Sequence, residues 1–199
     1  MQSDIEKLKE LVNADDIDID ALAAYFNALS PEARVSAIRS LKKKHQIKIW
    51  DAAEGRATSL ADLVPADVAP ATEVINAGKN SLPVFSHFEK RFCRTADNPD
   101  VLYGYNEGST RKFVGPGYFV ASVDAERGEV AVNYYHVPPE DAALPEAWPA
   151  IKPNEKGVQK FVYAKMIDYL RKVSDHVTIG RADRNGKTTN NYFLLCRTV

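Results

Sequence analysis

The sequence predicts an α+β fold: an N-terminal helical segment followed by a ββαββ antiparallel sheet of four or five strands packed on helices. Three observations predict it. Apolar residues recur at helical spacing before residue 55, two later stretches alternate like hairpins, and one helix-like stripe lies between them. The chain has 199 residues, 45% hydrophobic and 27% charged, which suits one globular domain with or without an appendage.

The first 55 residues predict helices that together form an arm. Asp18 and Ser30 are candidate N-caps, because a short polar side chain accepts a hydrogen bond from a free N–H of the first turn. Pro31 suits the first helical position. From there one apolar stripe continues to Gly55, which favours the end of a helix.

The remaining chain divides into a connector and a larger domain. Residues 56–83 are rich in alanine, proline and threonine and predict a connector with one or two helical turns. Residues 84–199 would form the α+β domain, and a single domain over the whole chain is the alternative. Within the larger domain, Phe85, Phe88 and Phe92 at helical spacing predict a short helix over 83–93. A longer apolar stripe predicts a second helix over 154–173.

The stretch 117–136 predicts the first hairpin. If the sequence AERG forms its turn, Asp124 opposes Glu129 and Phe119 faces Tyr134. One face of the hairpin is then uniformly apolar, which a slip by one residue would destroy.

The stretch 176–198 predicts the second hairpin, although which of its faces is buried stays open. The pair Asn185-Gly186 suits a type I′ turn, which needs positive φ at both central residues. With Arg184 opposite Lys187, Ile179 faces Tyr192.

These registers suggest where a site would lie. Each hairpin ends its apolar face in a polar group, His136 in the first and Arg181 in the second. We expect both to border one cavity between sheet and helix. The alternative is a frayed strand end for His136 and an exposed or paired Arg181. The expected ligand-binding residues are Arg181, His136, Arg111, Lys112, Tyr134 and Asn190.

The glycine-rich stretch 103–117 is not a nucleotide-binding loop. No lysine follows Gly108 in the position that a P-loop requires, and a strand comes next instead of a helix. Backbone N–H groups near Gly108, with Arg111 and Lys112, could still hold an anion. An ordinary surface loop is the other interpretation.

Composition limits the partners. Residues 121–150 carry one arginine against six acids, whereas residues 151–199 carry ten basic residues against four acids. Two solvated surfaces explain this asymmetry, and an anionic ligand is the alternative. The sequence has no nucleic-acid motif, metal-ligand spacing, secretory signal or membrane-spanning run, so neither a nucleic acid nor a membrane is expected as a partner, and no metal is expected. Two distant cysteines, Cys93 and Cys196, favour a reduced, cytoplasmic protein, with a disulfide between them as the alternative, and the cofactor is left open.

Three functions are compatible with the sequence. The first is a module that binds a small, possibly anionic ligand or regulates through it. The second is an enzyme that uses His136 as acid or base, with Glu107 as another catalytic candidate and Arg181 assisting. The third is an interaction module whose N-terminal helices bind a partner or a second copy of the chain.

Overall fold

Eight strands make up most of the molecule. The structure, a computed structural model, describes residues 2–83 and 86–199, with side chains in the first helix from Ile5 onward. The strands are β1 (Val74–Asn80), β2 (His87–Arg94), β3 (Val101–Glu107), β4 (Phe119–Asp124), β5 (Glu129–Asn133), β6 (Met166–Lys172), β7 (Val177–Arg184) and β8 (Lys187–Arg197). They pair antiparallel in chain order, and β1 also pairs with β8, which closes the sheet into a barrel.

Seven helices accompany the barrel in the described part of the chain. They are α1 (Gln2–Asn13), α2 (Ile19–Asn27), α3 (Pro31–Ser40), α4 (Lys43–Ala52), α5 (Leu60–Leu63), α6 (Arg111–Val114) and α7 (Gln159–Tyr163). The expected caps form, because the Asp18 side chain accepts from two N–H groups of α2 and the Ser30 side chain accepts from Ala33 N. No helix among the described residues is both long and apolar enough to cross a membrane.

The predicted α+β fold is wrong, since the sheet has eight strands and closes on itself. The main reason is that two predicted helices are strands. The segment 83–93 contains β2, with Val84 and Phe85 outside the described residues, and the segment 154–173 contains only the short α7 before β6. Phe88 and Phe92 are four residues apart, a spacing that a strand and a helix both place on one face.

The arm differs from the prediction in one respect. The single helix expected from Pro31 is broken into α3 and α4, because Leu41 and Lys42 take extended backbone conformations. The break lets Leu41 reach the core, where it is buried. The predicted connector contains β1, which pairs with both β2 and β8 as part of the barrel wall.

The first hairpin has the predicted register. Asp124 opposes Glu129 across β4 and β5, and the rings of Phe119 and Tyr134 are in contact, 5.4 Å between centroids. This prediction is confirmed.

The second hairpin has the predicted turn but a shifted register. Asn185 and Gly186 both have positive φ, and Arg184 opposes Lys187. A bulge between Arg181 and Asp183 then shifts β7 against β8 by two residues, so that Tyr192 faces Arg181 instead of Ile179.

Buried apolar residues form separate layers inside and outside the barrel. The arm packs its apolar stripe against the outer face of β7 and β8, including Ile179, Tyr192 and Leu194. A second cluster fills part of the barrel interior and joins it to α5. A third packs Trp148, in the loop after β5, against tyrosines on the outer face of β3.

Candidate functional site

The barrel interior has a packed half and an open half. At the closed end, α5 covers the barrel, and apolar side chains such as Phe92, Leu102 and Leu170 pack there fully buried. At the other end, which we call the mouth, lie the β1–β2, β3–β4 and β5–β6 loops and the β7–β8 turn. A cavity of about 530 Å³ opens there, bordered by apolar groups including Phe88, Met166 and Phe193.

Four buried polar residues separate the two halves, and we call them the polar quartet: Lys90, Asn106, Tyr134 and Asp168. The Lys90 and Asp168 side chains are only 2% and 4% exposed. Lys90 Nζ lies 3.0 Å from Asp168 Oδ2 and 3.1 Å from Asn106 Oδ1, and it also donates to the Tyr134 hydroxyl. An ammonium has three hydrogens, so these three acceptors use its full capacity.

Protonation in the quartet follows from burial. Burial lowers the pKa of Lys90 below its ordinary value, and attraction to the Asp168 carboxylate offsets part of that change. Burial, reinforced by the negative charge of Asp168, raises the pKa of Tyr134 well above its ordinary value. Tyr134 therefore remains a neutral phenol, which lies 3.3 Å from Asp168 Oδ2 and can donate to it.

Aromatic rings enclose the Lys90 ammonium. Its nitrogen lies 4.9–5.8 Å from the ring centroids of Tyr134, Phe119, Phe193 and Phe88. The three phenylalanines each oppose a glycine on a neighbouring strand, and a Cβ added to any of those glycines would lie within 2.6 Å of the ring. The missing side chains let the rings fold over the opposite strand, where their negative faces stabilise the cation.

Three further charged residues line the cavity nearer the mouth. Glu107 pairs with Arg111, whose Nε lies 2.7 Å from Glu107 Oε2. Burial tends to raise the pKa of Glu107, but hydrogen bonds from Arg111 and from Gly108 N outweigh it and lower the pKa. Arg184 instead donates to two backbone carbonyls of α7, those of Phe161 and Val162. No carboxylate within the described chain forms an ion pair with Arg184.

This arrangement offers a ligand two polar contacts, one near the mouth and one at the inner end of the cavity. Near the mouth, Arg184 carries a positive charge that no acid balances. At the inner end, Asp168 Oδ2 is engaged by Lys90 and Tyr134, whereas Asp168 Oδ1 receives no hydrogen bond from the described residues. Since Asp168 lines the cavity, Oδ1 is the acceptor that the inner end presents. The ammonium itself has no free hydrogen to give.

Three residues suggested by the sequence line the cavity: Glu107, Arg111 and Tyr134. Lys112 does not line it and borders a neighbouring groove between α6 and residues 149–159.

The expected meeting of His136 and Arg181 does not occur. His136 is exposed in the loop after β5, and it does not line the cavity. Arg181 lies on the outer face of β7, where its guanidinium stacks 5.0 Å from the Tyr192 ring centroid and donates to Thr189 O. Asn190 is exposed on β8. The pocket geometry deduced from the two hairpins is therefore wrong.

Sequence reasoning missed Lys90, Asn106, Asp168 and Arg184. On helices with the predicted apolar stripes, neither Lys90 nor Asp168 falls on the buried face. The only available signal was period-two alternation, with Lys90 between Phe88 and Phe92, and Asp168 between Met166 and Leu170.

The fold and the site define a class: a closed eight-stranded antiparallel barrel with an internal cavity above a buried lysine–aspartate pair. Comparison of the chain with protein-family models, curated proteins and solved structures gives no match. Among residues 2–83 and 86–199, no group of three or more histidine, cysteine, aspartate or glutamate side chains is arranged to hold a metal ion.

Proposed function

We propose that the protein binds one small molecule in the open half of the barrel, and that this ligand is largely apolar with one anionic group. The observation that carries the proposal is the cavity of about 530 Å³ inside a closed wall. Pockets of about 300–1,000 Å³ with apolar walls and a few placed polar groups are typical of small-molecule sites.

The charges of the lining favour an anionic group. Lys90 is balanced by Asp168 and Arg111 by Glu107, so Arg184 is the uncompensated charge of the cavity wall. A carboxylate or similar group beside its guanidinium would form charge-assisted hydrogen bonds. At the inner end, Asp168 Oδ1 would accept a hydrogen bond from a hydroxyl or amide of the ligand.

Calorimetric titration with two matched probes, decanoate and decanol, tests the proposal. Both have the same chain length, and only decanoate is charged. We expect decanoate to bind at least about tenfold more tightly, because a hydrogen bond to a charged group contributes roughly 1.5–3 kcal/mol. Arg184→Gln should remove the difference and leave decanol binding unchanged, whereas Arg184→Lys should retain part of it.

Arg127→Gln is the control, because Arg127 lies in the β4–β5 turn at the closed end. It should bind both probes as the unaltered protein does. Absence of binding for both probes would reject the cavity as a site for such ligands. An equal loss of both probes in Arg184→Gln would reject the anionic group.

We also propose a cytoplasmic location. Cys93 and Cys196 are both free and buried, and they lie in different clusters on the outside of the barrel. Burial raises the pKa of Cys93 to about 12 and that of Cys196 to about 11, so neither is a reactive thiolate. Alkylation of both thiols in protein denatured directly from its cells would support this location, and a disulfide between them would contradict it.

The enzyme and the interaction module stay predictions that nothing here tests. Neither has an observation in its favour comparable with the cavity, since His136 and Arg181 lie apart and the apolar stripe of the arm already packs on the barrel.

A further inference from the structure

The mouth carries unusually exposed apolar side chains. Phe113 on α6 and Phe161 on α7 are 83% and 78% exposed, and Val158, directly before α7, is 58% exposed. Phenylalanine is among the residue types most often buried, so two such side chains exposed on neighbouring surface helices indicate an interaction site.

Basic residues accompany these side chains. Lys112, Lys152, Lys156 and Lys160 are all exposed, and none of them forms an ion pair with a carboxylate of the described chain. The segments 111–117 and 149–163 contain a single acidic residue, Glu155. This surface is therefore positively charged and apolar at the same time. We call it the mouth surface: Phe113, Val158, Phe161 and the four lysines.

We propose that the mouth surface docks on an anionic phospholipid membrane. Exposed phenylalanines insert into the region between head groups and acyl chains, and lysines bind the anionic head groups. The apolar residues alternate with lysines along the chain, as in Lys112-Phe113 and Lys160-Phe161. One surface therefore presents both cations for the anionic head groups and rings for the boundary with the acyl chains.

The docking would place the cavity entrance at the lipid surface, because Phe161 borders the cavity as well as the mouth surface. The sequence-based expectation of no membrane partner rested on the lack of a spanning segment, and a surface contact needs none. The proposal does not depend on a ligand, so it and the proposed function can fail separately.

Vesicle co-sedimentation of the full chain without any added ligand tests the proposal. One set of vesicles is pure phosphatidylcholine, and the other is an equimolar mixture of phosphatidylcholine and phosphatidylglycerol. We expect binding to the mixed vesicles, little binding to the neutral ones, and weaker binding as salt is raised. Replacing the four lysines by glutamine should weaken binding by about fivefold per lysine.

Phe113→Ser should also weaken binding to the mixed vesicles, and Phe113 is chosen because it does not line the cavity. The matched controls are Val123→Ser, exposed on β4, and glutamine at the arm lysines Lys7, Lys9, Lys42 and Lys44. These should bind vesicles normally.

Equal binding to both vesicle types, no binding to either, or equal losses in the controls would overturn the proposal. Self-association of the protein that Phe113→Ser abolishes would also overturn it, in favour of a second copy. Decanoate titration of the same variants reports on the cavity independently.

Discussion

The packed and open halves of the barrel interior are formed by the same eight strands, but only the packed half is filled by apolar side chains. In the packed half, Phe92, Leu102 and Leu170 meet across the barrel axis and are completely buried. In the open half, the wall is held by the same hydrogen-bonded ladder, while the small side chain of Ala182 borders the space that remains. Stability is therefore expected to come mainly from the packed half, where apolar area leaves water.

The polar quartet marks the boundary between the halves, and the comparison explains its place. In the packed half, a lysine and an aspartate would be enclosed by apolar side chains and could bind no further polar group. At the boundary, Asp168 Oδ1 faces the cavity. The Lys90–Asp168 pair still lies almost entirely out of water, so removing one charge leaves the other buried without a counter-charge and destabilises the fold. The following variants test this division, from the largest expected effect to the smallest.

Asp168→Asn should have the largest effect. It preserves the shape of the side chain but leaves the Lys90 ammonium buried without a counter-charge. We expect the free energy of unfolding to fall by about 3–5 kcal/mol, measured by urea denaturation.

The double variant Lys90→Met/Asp168→Asn should be less destabilised than the sum of its single variants, because it removes both charges. Asp183→Asn is the control, since Asp183 approaches Arg127 only to 3.9 Å. A loss below about 1 kcal/mol in Asp168→Asn would mean that the pair behaves like a surface salt bridge.

Two alanines on opposite sides of the boundary provide a direct comparison. Ala121 is completely buried in the packed half, whereas Ala182 borders the cavity. Ala121→Leu should lower the free energy of unfolding by about 1–3 kcal/mol, because the surrounding side chains leave no room. Ala182→Leu should change it by less than about 0.5 kcal/mol and weaken decanoate binding. Equal destabilisation by the two variants would contradict the division.

Glu107→Gln should have the smallest effect on stability. Losing a partly exposed ion pair changes an interaction free energy by up to roughly 1 kcal/mol. Because Arg111 would become a second uncompensated cation at the cavity, decanoate affinity should rise by at most about fivefold in calorimetric titration.

The pH dependence of the Glu107 contribution has a defined sign. The folded protein lowers the pKa of Glu107 below 4.5, so ionised Glu107 stabilises the fold above that pH. This contribution is lost as pH falls through the lowered pKa, and Glu107→Gln should lack it in urea denaturation across a pH series. Glu155→Gln, exposed in the loop before α7, should keep the original decanoate affinity.

Some of the fold could be predicted from the sequence because the signals were local. The caps at Asp18 and Ser30 and the turn at Asn185-Gly186 depend on a few adjacent residues, and they form as expected. The register of the first hairpin followed from an uninterrupted apolar face. The bulge between Arg181 and Asp183 has no such local signal, so the second register shifted.

Barrel closure and the candidate site could not be predicted, for related reasons. Apolar residues four apart fit a helix and a strand equally, and only the neighbouring strands decide between them. A helix in place of β2 or β6 puts Lys90 or Asp168 on a face that would contact water. Their burial depends on each other and on rings contributed by β4, β8 and the turn after β5, none of which lies nearby in the chain.

The pairing of β1 with β8 also has a consequence for the order of folding events. It joins the first and last strands of the barrel, with Asn76 opposite Arg197. The arm lies over this seam, since α3 contacts both strands and the α4 residue Gln46 donates from Nε2 to Lys79 O in β1. During synthesis the arm emerges before the barrel strands, but its apolar stripe has no surface to pack on until β7 and β8 have been made. Docking of the arm and closure of the barrel thus become late, coupled steps, because both require β7 and β8.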